Sequence, residues 1–165
     1  MNTISIETYR NEYTGNNYYG ILIDGISLEE HALKNSFKDI IPGLVSTFLN
    51  WLDDPQEQKI VWERALPEPY TKTNLPILMC GDDLDLWCTV IIAEVETDDD
   101  YVYWNKIGHD VGDDKNMPAS IGTTVDWFSG ETLVFKRKEY ESVLKSFKKY
   151  LDRSYEGKLY QEISS

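Results

Sequence analysis

The chain has 165 residues, 41% of them apolar, and a formal net charge of −13; that suits one domain with a single core and requires no metal or disulfide framework for folding. No apolar stretch has the length of a membrane span, and the start Met1-Asn2-Thr3-Ile4-Ser5 lacks both the basic region and the apolar run of a signal peptide, so a cytoplasmic protein is expected. Acidity is uneven: residues 81–115 hold eleven acids against two bases, a net of −9, whereas 136–165 hold eight bases against five acids, a net of +3. Such a negative field repels phosphate backbones, which argues against nucleic acid as a direct ligand, and it steers basic protein surfaces into contact.

In chain order, Ile4-Ser5-Ile6-Glu7 and Tyr18–Ile23 alternate as short strands, with Gly15 to Asn17 as the turn between them. Asp24-Gly25 ends the second strand, and Ser27 with Glu30 has the spacing of a capping box opening a short helix through Leu33. Residues 44–52 have mostly helical spacing after Pro42-Gly43. Pro55 restarts the chain into a second helix over Gln56–Leu66. Pro67, Pro69 and the polar run Thr71–Asn74 predict a loop. Leu75–Met79 and Trp87–Glu96 predict core strands, the second returning through Thr97–Asp100 into Tyr101–Trp104, so that 87–107 is the strongest hairpin. Gly108–Ser120 is expected to be a polar loop, Val125–Phe128 and Leu133–Phe135 two further strands, and Lys138–Leu151 an amphipathic helix with Tyr140, Val143, Leu144, Phe147 and Leu151 on one face. The fold class expected is α+β: one domain over 1–155, a mainly antiparallel sheet packed by a few helices including the C-terminal one, followed by a loosely docked tail over 156–165.

Catalytic and cofactor signatures are missing. His31 and His109 have no metal-site spacing, HExxH is absent, and there is neither a Walker A loop nor GxGxxG. Cys80 and Cys88 stand alone, with seven residues between them, and read as reduced thiols. Asp110, Asp113 and Asp114 offer carboxylates for calcium but lack the order of an EF-hand, so no metal and no cofactor is expected, and no catalysis. What stands out is the placing of acids beside aromatics. Asp82, Asp83, Asp85, Asp98, Asp99, Asp100, Asp110, Asp113 and Asp114 fall in presumed turns, and Trp87, Trp104 and Trp127 lie near the ends of presumed strands. An aromatic anchor inside a charged rim is a common interface design, so these twelve residues form the candidate partner-binding set. The competing reading of each is ordinary: solvated turns and core tryptophans.

Leu49-Asn50-Trp51-Leu52-Asp53-Asp54, Val61-Trp62-Glu63-Arg64, Asn74–Asp83, Tyr101–Gly108 and Ile121–Phe128 together resemble a family of small bacterial immunity proteins associated with polymorphic toxin systems of the LXG or contact-dependent type. The likeness spans roughly residues 44–128. It implies a cytoplasmic protein that binds a cognate toxin domain, for example a nuclease with a basic cleft, and blocks it without catalytic residues of its own. Two alternatives stand beside it: a non-catalytic adaptor similar to the SMI1/KNR4-like superfamily, and a carboxylate-dependent hydrolase.

Overall fold

A computed structural model of the chain describes residues 1–10, 15, 17–34, 44–47, 55–80, 86, 89–112, 118–128, 130 and 132–164. The alternating N-terminal segments form β1 (Ile4–Arg10) and β2 (Asn17–Ile23), an antiparallel hairpin in register from Ile4↔Ile23 to Arg10↔Asn17. β3 (Ile26–Ser27) folds straight back on β2 through Asp24 and Gly25, whose φ angles of 54° and 81° match the two left-handed positions of a tight hairpin turn. The expected cap is present: Ser27 Oγ accepts the Glu30 N–H at 3.2 Å and opens α1 (Leu28–Lys34).

A second, larger sheet carries the core. β4 (Leu44–Ser46), β5 (Lys72–Cys80), β6 (Val90–Thr97), β7 (Tyr101–Asp110) and β8 (Val125–Trp127) are neighbours in that order, and β9 (Leu133–Lys136) also pairs with β7, all antiparallel. The fold is therefore α+β, with α2 (Pro55–Ala65) and α3 (Arg137–Ser164) as its longer helices. Trp104, Phe135 and Tyr140 stack edge to face and tilted at 5.6 and 5.5 Å, packing α3 onto β7 and β9. The Tyr140 hydroxyl receives the Trp104 indole N–H at 3.3 Å and donates to the Ala65 carbonyl at 2.7 Å, which ties α3 to the end of α2. Burial raises its pKa, so the phenol stays neutral.

Four expectations are corrected. Leu44–Ser46 is a strand rather than the start of a helix, because it pairs Leu44↔Cys80 through Ser46↔Leu78; long-range pairing overrides the local spacing. The remainder of 48–52 lies outside the described residues. Lys72–Asn74 belongs to β5, not to the loop, since its polar side chains face solvent and neighbouring polar groups rather than the core. Gly108–Asp110 continues β7, where Gly108 lets β8 approach closely. Helix α3 runs past Leu151 to Ser164, including 156–164; the stretch lacks proline, and Gly157 alone costs only about 1 kcal/mol of helix propensity.

Gly108 offers the sharpest test of this packing. A Cβ there would sit 2.5 Å from the Asp126 carbonyl oxygen and 2.9 Å from Trp127 Cα, both backbone atoms, whereas a Cβ at Gly130 meets nothing within 4 Å. Gly108→Ala is expected to lower stability by roughly 1–3 kcal/mol, and Gly130→Ala to stay within about 0.5 kcal/mol. Urea midpoints of the two variants check this.

Candidate functional site

The acidic segments do not gather at one end of the sheet. Asp98, Asp99 and Asp100 form the tip of the β6–β7 hairpin, while Asp110 ends β7. Nine strand steps separate Tyr101 from Asp110, roughly 30 Å. The β5–β6 connection, with Asp82, Asp83, Asp85 and Trp87, leaves the sheet at Cys80 and returns at Val90, on the Asp110 side. Those four residues, with Asp113 and Asp114, lie outside the described residues.

At the tip, Asp98 is consumed by the turn itself. Its Oδ1 accepts the N–H groups of Asp100 at 2.9 Å and Tyr101 at 2.7 Å, and its Oδ2 accepts the Tyr103 hydroxyl at 2.8 Å. Its own N–H donates to the Tyr101 carbonyl at 3.1 Å. The following helix is fastened to the same turn: Arg137 N–H donates to the Asp100 carbonyl at 2.9 Å, and its guanidinium to the Asp98 carbonyl at 2.8 Å. Asp99 and Asp100 point outward and are exposed. Beside them Tyr70, 73% exposed and at φ 67°, donates its hydroxyl to Asp99 Oδ2 at 3.0 Å, while its N–H donates to the Thr97 carbonyl at 2.7 Å. Arg137 pairs with Glu141 at 2.9 Å, and Lys72 lies near Glu94 and Glu96. Among the described residues, no cation lies within ion-pair distance of Asp99 or Asp100.

Between the two ends, one sheet face carries a neutralised ladder. Lys106 reaches Glu94 at 3.5 Å and lies 4.5 Å over the Trp127 ring. The extra residue of a bulge in β7, Asn105, donates to Glu96 at 2.8 Å. Trp127 is half-buried on this face. Trp104 points the other way and is 2% exposed in the core, which removes its ring from any surface.

Asp110, 3% exposed, is an internal latch. Its carboxylate accepts Gly112 N–H at 3.0 Å and Gly122 N–H at 3.1 Å, while Asn74 Nδ2 donates to the Gly122 carbonyl at 2.7 Å. The Arg64 guanidinium donates to the carbonyls of Asn74 and Ile121. Burial lowers the Arg64 pKa, and nearby Asp110 opposes that shift. These bonds bind the 118–124 segment across the sheet, so Asp110 is spent on backbone and offers nothing to a calcium ion.

Of the candidate set, the described structure therefore exposes Asp99 and Asp100, half-exposes Asp98 and Trp127, and buries Trp104 and Asp110. Sequence reading missed Tyr70, Tyr103 and Arg64. Pro67-Glu68-Pro69 marks a loop before Tyr70, but nothing local signals a partner 29 residues away.

Asp98 also makes a pH prediction. The Tyr103 hydroxyl and the Asp100 and Tyr101 amides favour its charged form and lower its pKa. The stabilisation is complete above the ordinary Asp value of about 3.9 and is lost as pH falls through the lowered folded value. Carboxyl-detected NMR should place the Asp98 midpoint below that of an unfolded-chain Asp, and Tyr103→Phe should move it upward. A midpoint unmoved by Tyr103→Phe would break the assignment.

Comparison with family models, curated proteins and solved structures finds no match for the chain. No described helix is long and apolar enough to cross a membrane.

Proposed function

We propose that this chain is an immunity protein that binds and neutralises a cognate bacterial toxin domain in the cytoplasm through an acidic, aromatic-flanked surface. The observation that supports this reading best is the β6–β7 tip. Two exposed carboxylates, Asp99 and Asp100, stand without an ion partner among the described residues on a turn pinned by Asp98, next to the exposed ring of Tyr70. Like charges held this way repel each other, and a partner's Lys or Arg side chains would relieve the repulsion on docking. The pinned turn means little ordering is required on binding, which favours affinity. Tyr70 supplies a large ring with few torsions to immobilise, the kind of residue that anchors interfaces. The resemblance over residues 44–128 supplies the biological role, and the charge pattern supplies the mechanism: a negative cover for a basic surface. This reading requires no catalytic residue, metal or cofactor.

Co-expression with the product of the neighbouring gene tests the proposal. A toxin should form a complex with the chain, and cells should be protected from it. Asp99→Asn/Asp100→Asn should lower the association rate about tenfold at low ionic strength and flatten its salt dependence, because neither side chain holds the fold. Stopped-flow measurement over a salt series reads both effects. A salt-independent rate equal to that of the unaltered chain would remove the tip from the interface, whereas absence of both complex and protection would remove the immunity reading.

A further inference from the structure

The end of β5 carries a covalent feature that the sequence reading did not anticipate. Cys80 is disulfide-bonded, not a free thiol. The chain contains one other cysteine, Cys88, which lies outside the described residues. Cys80 is half-buried, pairs with Leu44 of β4 through the backbone, and its sulfur accepts the Thr89 N–H at 3.3 Å. Between the two cysteines in sequence, Leu86 is fully buried and donates its N–H at 3.1 Å to Glu57 Oε1, a carboxylate in the first turn of α2 that is itself 2% exposed. The β5–β6 connection is thus fastened three times: by the disulfide, by Thr89 to sulfur and by Leu86 to Glu57.

We propose that Cys80 and Cys88 form a thiol–disulfide exchange site that sets how firmly this connection is held, with a dithiol reductant as co-reactant. A thiolate of the dithiol attacks one protein sulfur, the S–S bond breaks, and the departing cysteine thiolate takes a proton. The second thiol of the reductant then displaces the mixed disulfide. Two electrons and two protons pass to the protein, and the reductant leaves as its own disulfide. Two features suit exchange rather than a purely structural staple. The sulfur of Cys80 sits at a partly open strand end, and the bond closes a short ring, so its loss leaves the rest of the sheet intact. The Leu86–Glu57 bond and the buried Leu86 side chain remain in the reduced state and keep the fold closed while the cysteines cycle. A cytoplasmic disulfide is more often a redox sensor than a permanent strut. Asp82, Asp83, Asp85 and Trp87 lie in this connection, so partner binding at that end of the sheet follows the redox state. This last clause rests on the proposed function; the exchange site itself does not.

The test uses the full chain without any partner. After equilibration with glutathione disulfide and denaturation, iodoacetamide should add no label; after dithiothreitol it should add two. The reduced protein should melt roughly 5–10 °C lower and exchange the Leu86 and Thr89 amides faster. The Cys80→Ser/Cys88→Ser variant should melt with the reduced protein and ignore dithiothreitol. Two labels on the oxidised sample, or identical melting and exchange in both states, would overturn the site. Normal redox behaviour with a toxin complex insensitive to dithiothreitol would overturn the coupling to binding while leaving the proposed function standing.

Discussion

One carboxylate organises the most consequential part of this fold. By taking two backbone amides and a tyrosine hydroxyl, Asp98 closes the β6–β7 turn, fixes where β7 begins, and offers its own carbonyl to Arg137 at the start of α3. The turn belongs to the hairpin at the centre of the larger sheet, so β5 on one side and β8 and β9 on the other inherit its register. The same geometry turns Asp99 and Asp100 outward. A single hydrogen-bonding centre therefore serves both stability and the presentation of charge.

The opposite end of β7 uses an aspartate in a different way. Asp110 also accepts two amides, but it does so buried, under the 118–124 segment and near the guanidinium of Arg64. Buried, hydrogen-bonded carboxylates of this kind specify a loop path, because leaving either amide unsatisfied is costly. The acidic composition of residues 81–115 thus divides into structural acids, a lysine-neutralised ladder at Glu94 and Glu96, and the two free carboxylates of the tip. Net charge alone does not separate these roles.

Much of the fold was legible in the sequence where the signal is local. The capping Ser27, the Asp24-Gly25 turn, the Pro55 helix start and the 87–107 hairpin each rest on chemistry within a few residues, and each is found, the hairpin over its described part. Errors fall where a distant partner decides. Leu44–Ser46 becomes a strand only because Leu78–Cys80 is there to pair with it, and Trp104 becomes core only because Phe135 and Tyr140 arrive from the end of the chain. The site was half legible for the same reason. The Asp98–Asp100 run is visible as a hairpin tip, but its distance from Asp110 and its pairing with Tyr70 depend on strand length and on a loop that returns from another element.

The central claim is that the pinned acidic tip is the surface presented to a basic protein partner. Hydrogen–deuterium exchange of the chain, alone and saturated with the toxin-domain product of the neighbouring gene, measures it most directly. The account predicts new protection at Tyr70 and at the amides of 97–103, centred on Asp99 and Asp100. Protection confined to the Asp110 end of the sheet, with the tip exchanging as in the free chain, would contradict it.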